Sequence, residues 1–173
     1  MTHHPGGEAQ TKRLLALADL TPCRILDMGA GEGATLKLLR DLGFDAVGID
    51  KAGKNGAIAG DFLHCPFSDG SFDAVLSECA FFVSGNPKKA LSEAFRLLKK
   101  GGKLLLSDVY FGTREEAKKC LKEAGFRVLA FADETKEWKK YYIECIWRGT
   151  AEQYCGCARG RPCGYYLVVC ERT

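Results

Sequence analysis

Apolar residues in this chain follow two alternating rhythms. Short, nearly continuous apolar runs at Arg24–Leu26, Ala46–Ile49, Phe72–Leu76, Lys103–Ser107, Phe126–Phe131 and Tyr165–Cys170 read as strands, most of them buried on both faces. A brief further strand is expected at Ala57–Gly60. Between these runs, apolar residues recur every three or four positions, the spacing of one helix face. Leu14, Leu15 and Ala18 share a side of a helix over Glu8–Ala18, and Ala34–Leu42 forms the next helix, stopping at Gly43. Asn86 and Pro87 make an N-cap and first-turn pair for a helix whose Leu91, Ala94, Phe95 and Leu98 face one way. Gly101-Gly102 is expected to end it. Thr113 and Glu116 form a capping box ahead of Ala117, Cys120, Leu121 and Ala124. Trp138, Tyr141, Tyr142 and Cys145 mark one more amphipathic helix.

Strands that alternate with helices predict a parallel sheet covered on both faces. One connection breaks that rhythm. Only six residues, Lys51 to Gly56, separate Asp50 from Ala57. A parallel crossover normally takes a dozen residues or more, so this one is expected to be a bare loop.

Ile25-Leu26-Asp27-Met28-Gly29-Ala30-Gly31-Glu32-Gly33 is the stretch around which candidate chemistry gathers. A strand, a loop with glycine at every second position and then a helix let backbone N–H groups approach a ligand closely. Dinucleotide sites space their glycines G-x-G-x-x-G, whereas these fall at 29, 31 and 33. The acid two residues before the first glycine is a poor neighbour for a pyrophosphate and suits a ligand with positive charge. Asp27, Asp50, Asp61 and Glu78 all sit at or just past strand C-termini. Ligands of such sheets bind at that edge, near the point where strand order reverses.

Composition narrows the class without naming it. At 173 residues the chain is read as a single domain, 1–173, able to bury roughly 70% of its unfolded surface in one core. A formal net charge of +3 is too small to argue for nucleic acid. Lys88, Lys89, Lys99, Lys100 and Lys103 are read as solvated helix ends. No apolar run approaches the length of a membrane span, and His3 and His4 stand where a signal peptide needs its apolar segment. The nine cysteines are odd in number and scattered, so reduced thiols in the cytoplasm are expected.

These residues together resemble the class I S-adenosylmethionine-dependent methyltransferases of the type 11 family. Leu26–Gly33 is similar to the family's first motif, Gly48-Ile49-Asp50 to its second, and Gly60-Asp61 with Cys65–Val75 to the stretch around its third and fourth strands. Leu97–Leu104 resembles the helix–turn–strand that follows, and Gly164–Leu167 the last strand. The resemblance implies a doubly wound α/β fold: a mostly parallel seven-stranded sheet, an antiparallel last strand and helices on both faces in three layers. It implies an N-terminal cap helix over 1–20 and a substrate-side helix with a cysteine-rich insert over 133–163. It also implies S-adenosylmethionine as cofactor and a small-molecule substrate, in a monomer or homodimer.

Residue by residue, Gly29, Ala30 and Gly31 would let backbone approach the methionine part of the cofactor, and Asp27 would hold its ammonium. Asp50, with two acceptor oxygens and no donor, suits two ribose hydroxyls. Asp61 can accept from the adenine amino group and the Phe62 N–H can reach a ring nitrogen; Lys51 belongs to the same side. Glu78 and Cys79 would lie near the sulfonium and the substrate, as candidate catalytic residues. His4-Pro5-Gly6-Gly7 would either fold over the cofactor or remain a disordered terminus. An oxygen or carbon acceptor would need a base, for which Glu78, His64 and Tyr110 are candidates.

The cysteines divide. Cys120, Cys145 and Cys170 fall at core positions, with Cys23 and Cys65 read the same way. Cys155, Cys157 and Cys163 occupy a glycine- and arginine-rich insert, in a C-x-C-x5-C spacing unlike a structural zinc site. Neighbouring arginines favour thiolates, and three converging thiolates suit a soft metal or metalloid, with Cys79 able to join them. Arsenite methyltransferases share the implied fold and bind substrate through cysteines, although in a different pattern. A thiolate or metalloid acceptor, a redox-active loop and an accidental cluster all remain open. A module that senses the cofactor or a metal without turnover is the alternative from another class. A nucleotide-dependent oxidoreductase is disfavoured by the glycine spacing.

Overall fold

The computed structural model describes residues 4–150 and 162–173. Among them the elements run α1 (Gly7–Leu17), β1 (Arg24–Met28), α2 (Ala34–Asp41), β2 (Asp45–Asp50), β3 (Ile58–Ala59) and a 3₁₀ turn at Phe62–His64. They continue with β4 (Phe72–Glu78), α3 (Pro87–Leu97), β5 (Leu98–Phe111), α4 (Arg114–Glu123), β6 (Phe126–Asp133), α5 (Thr135–Trp147) and β7 (Cys163–Arg172).

The seven strands form one sheet in the order β3-β2-β1-β4-β5-β7-β6. All pairs are parallel except those of β7, which runs antiparallel to both β5 and β6. Strand order reverses between β1 and β4, and the carboxyl ends of the two meet there.

The period-two alternation of strand residues divides the core between the two faces. Leu26, Val75, Leu104, Leu106, Val168 and Cys170 point to the layer that holds Leu91, Ala94 and Leu97 of α3 and Leu121 of α4. Their neighbours Ile25, Ala74, Leu76, Leu105, Leu167 and Val169 face Leu14 and Leu15 of α1 and Leu36 and Leu39 of α2. Burying a large aliphatic side chain stabilises the fold by about 1.5–3 kcal/mol, so this double layer dominates the favourable side of folding. Helix starts follow the local signals. The Asn86 side chain accepts the Lys89 N–H, and Thr113 with Glu116 closes a reciprocal capping box.

Two expectations are corrected. The helix with Leu91 ends at Leu97, and β5 begins at Leu98, so Gly101-Gly102 lies inside the strand at a register shift. Gly102 has no room for a side chain, since a Cβ would stand 2.8 Å from the Lys99 carbonyl oxygen. Lys99, Lys100 and Lys103 are therefore strand residues and not helix ends. Lys99 pairs with Asp73 at 2.6 Å, and Lys103 donates to the Ala18 carbonyl. The bare loop after β2 is present as expected, although β3 keeps only Ile58 and Ala59 of the four residues anticipated.

Candidate functional site

A cleft of about 490 Å³ opens at the carboxyl ends of β1, β2 and β4, and Asp27, Asp50, Asp61 and Glu78 all line it. Its floor is Asp27, only 2% exposed, whose Oδ2 has no hydrogen-bond partner. Burial, then the negative charges of Glu78 and Asp50, push this carboxyl well above the ordinary carboxylate range.

The glycine loop is bound to the end of the neighbouring strand. Gly29 and Ala30 both donate N–H groups to the Ile49 carbonyl, at 2.9 and 3.1 Å. Gly29 has φ +87°, and a Cβ there would lie 2.3 Å from that of Ala80. Gly31, at φ +51°, has nothing within 4 Å of its would-be Cβ, so its backbone borders open space. At Gly48 a Cβ would come within 2.8 Å of Leu36 Cδ2. Glycine at 48 thus lets α2 lie close on β2, which brings the helix N-terminus to the cleft.

Asp50 spends one lone pair of each oxygen on backbone, accepting from Gly31 N at 3.1 Å and Ala52 N at 3.0 Å. Asp61 caps the 3₁₀ turn by accepting Leu63 N at 2.9 Å, which places Phe62 against the cleft beside Lys51. The segment after β4 supplies the opposite wall with Cys79, Ala80, Val83 and Ser84.

Glu78 is the most heavily engaged of the acids. It accepts from Thr11 Oγ1 at 3.0 and 3.1 Å and from Thr35 Oγ1 at 2.8 Å, with His4 Nε2 3.4 Å away. That cluster ties the N-terminal segment, α1 and α2 to the end of β4. His4 also lines the cleft, so this segment does fold over the site. Thr11 and Thr35 carry no motif signal, and only the fold reveals their part.

Cys79 lies in the cleft wall in a left-handed conformation, φ +55°. Its sulfur is 3.1 Å from Tyr165 Oη, which is in turn 2.6 Å from Ser107 Oγ. Burial and then the Asp108 charge push the thiol well above its usual pKa, so it is a neutral thiol at physiological pH. Of the three candidate bases only Glu78 lines the cleft. His64 is exposed and 3.9 Å from Asp61, whereas Tyr110 donates to Asp133 at 3.1 Å in a separate groove of about 610 Å³. Cys163 lines that second groove. Paired with Phe111 at the end of β5, it stands on the carboxyl edge of the sheet but not in the cleft with Cys79. Cys155 and Cys157 lie outside the described residues. Among the described residues no group of three or more His, Cys, Asp and Glu side chains could hold a metal ion.

The residues present fit a ligand with a cationic head. An unpartnered buried carboxylate oxygen, a glycine loop bordering open space and three further acids along one edge suit an ammonium and a sulfonium and repel a pyrophosphate.

A family model described as "Methyltransferase domain" matches residues 26–106, the span from β1 into β5 that carries most of the cleft. Over that span the chain is similar to the class I S-adenosylmethionine-dependent methyltransferases. Similar proteins include the demethylmenaquinone methyltransferase of Renibacterium salmoninarum, 40% identical over 96 residues, which are 49% of this chain and 40% of that protein. The arsenite methyltransferase of Aquipseudomonas alcaligenes is 29% identical over 159 residues, 77% of this chain and 41% of that protein. The chain thus spans well under half the length of these curated relatives. Geranyl diphosphate C-methyltransferase from Streptomyces coelicolor shares the methyltransferase fold, with a TM-score of 0.77 and 15% identity, covering 96% of this chain and 78% of that one. No described helix is long and apolar enough to cross a membrane.

Proposed function

We propose that this methyltransferase domain transfers a methyl group from S-adenosylmethionine to a small-molecule acceptor at the carboxyl edge of the sheet. The single observation that carries the reading is the unpartnered, buried Asp27 oxygen beneath the glycine loop. In the bound state Asp27 takes the ammonium, the open backbone at Gly31 leaves room for the methionine part of the cofactor, and Asp50 accepts from the ribose. Asp61 and Phe62 border the adenine, with Lys51 at its open side. When bound, S-adenosylmethionine supplies an electrophilic methyl on a sulfonium, and displacement there depends mainly on alignment and desolvation. The wall of Cys79 and Ala80 provides both. Glu78, tied up by Thr11 and Thr35, acts through the geometry of the cleft in preference to proton transfer.

The finer reading is a soft acceptor, a thiolate or arsenic(III), gathered by Cys155, Cys157 and Cys163. The similarity to an arsenite methyltransferase over 77% of the chain and the place of Cys163 on the carboxyl edge support it. Such a nucleophile needs no base, which agrees with a cleft whose one lining candidate is already engaged.

The test is calorimetry with S-adenosylhomocysteine, followed by its release from S-adenosylmethionine in the presence of arsenite, thiols and quinols. A Cys155→Ser/Cys157→Ser/Cys163→Ser variant that keeps cofactor affinity but loses arsenite binding supports the soft acceptor. Cofactor binding with no turnover on any acceptor would favour a sensing module, and NADH binding without S-adenosylhomocysteine binding would sink the whole reading.

A further inference from the structure

Two buried polar groups stand behind the Cys79–Ser84 wall without lining the cleft themselves. Asp108, near the end of β5, is 1% exposed, and Tyr165 on β7 is fully buried. Both reach the same segment from the far side. Tyr165 Oη holds the Cys79 sulfur at 3.1 Å and rests on Ser107 Oγ. Asp108 Oδ2 accepts the Phe82 N–H at 3.0 Å, and its Oδ1 accepts the Val109 N–H at 2.7 Å. The Ser107 carbonyl accepts Cys79 N at 2.8 Å.

The segment needs holding. Cys79 is a non-glycine residue in left-handed backbone, a conformation that persists only where surroundings enforce it. Trp138 of α5 stacks on Tyr165 at 6.5 Å and 7°, and Tyr142 stacks on Trp138 in turn, so water is kept from the Tyr165 hydroxyl. A buried acceptor left without such donors, or a donor without its acceptor, carries a large penalty, and this makes the arrangement a clamp.

We propose that Asp108 and Tyr165 are positioning residues of the donor cleft, fixing the Cys79–Ser84 wall against which methyl donor and acceptor pack. The inference rests on the methyltransferase reading for its purpose but not for its geometry.

A pH profile separates this role from plain packing. The titratable groups that face Asp108 are Cys79, from the end of β4, and Tyr165 and Tyr166, from β7; burial pushes all three well up, so they stay neutral near pH 7. Burial also brings Asp108 itself to about 7. Between about pH 6 and pH 8 its carboxylate therefore gains a proton as pH falls, and it becomes a weaker acceptor for Phe82.

The experiment measures protection of the Phe82 amide against hydrogen exchange across that range, together with S-adenosylhomocysteine affinity. Wild-type protection should fall roughly tenfold as pH drops through the Asp108 transition, the scale of one hydrogen bond to a charged group, and affinity should fall with it. Asp108→Asn should show lower protection with no pH step. Tyr165→Phe should keep the step but bind S-adenosylhomocysteine more weakly, and wild-type affinity there would remove Tyr165 from the clamp. A wild-type protein with pH-independent Phe82 protection, or an Asp108→Asn protein with unchanged protection and affinity, would overturn the proposal; the wild-type profile decides even where a variant does not fold. If Phe82 protection follows pH but S-adenosylhomocysteine does not bind, the clamp stands and the methyltransferase reading fails.

Discussion

Gly31 donates its N–H to Asp50 Oδ2 at 3.1 Å, so the glycine loop and the acid that ends β2 brace one another with no ligand between them. The brace aligns loop and carboxylate in advance, which lowers the ordering cost of binding. Each Asp50 oxygen keeps acceptor capacity beyond its backbone bond.

Removing that carboxylate should weaken binding twice over. Asp50→Ala is expected to lose on the order of 1.5–3 kcal/mol of S-adenosylhomocysteine affinity, the scale of hydrogen bonds to a charged group. Calorimetry reads it directly, and an unchanged dissociation constant would remove Asp50 from the site.

Asp27 should couple binding to proton release. Its folded pKa is raised well above the unfolded value, so between the two values the native state holds more protons than the unfolded state. Stability of the ligand-free protein should therefore fall as pH rises from the ordinary carboxylate value towards the raised folded one. Asp27→Asn should remove that loss, giving a higher urea midpoint at neutral pH together with a loss of cofactor affinity. A cationic head group lowers the Asp27 pKa, and calorimetry in buffers of different ionisation enthalpy should show protons leaving on binding in the range where the free protein holds them. No proton release anywhere between pH 5 and pH 8, about the range open to measurement, would contradict the ammonium assignment.

A methyl group has no place at Gly29. The left-handed φ and the 2.3 Å approach to Ala80 should make Gly29→Ala cost on the order of 1–3 kcal/mol and displace the wall as well as the loop. Chemical denaturation measures the first effect and ligand affinity the second. A variant with wild-type values for both would show that the loop adapts freely.

The loop after β2 carries more internal ties than its length suggests. Asn55 Nδ2 donates to the Glu32 carbonyl at 2.7 Å, Lys54 pairs with Glu32, and Ala57 N returns to the Lys54 carbonyl. Residues 51–56 nevertheless have no helix to cover them, so exchange there should be fast without ligand and slow on binding. The exposed Lys54–Glu32 pair is screened by solvent, so Lys54→Ala should leave the melting temperature nearly unchanged. A strongly protected ligand-free segment would mean that the adenine wall is closed by other means.

Local spacing was enough to locate the acidic edge, the glycine loop, the caps at Asn86 and Thr113 and the missing crossover helix. Each of these depends on residues within a few positions of one another, where period, propensity and turn chemistry act directly. Tertiary structure alone brought Thr11, Thr35 and His4 to Glu78, set Tyr165 against Cys79 across 86 residues, and put Asp108 behind Phe82. It also separated Cys163 from the donor cleft, although both stand at one edge of the sheet. The reason is geometric. A strand sends successive side chains to opposite faces, and which distant residue meets each of them is decided by strand order and by how closely the covering helices pack, neither of which is written in the spacing of neighbouring residues.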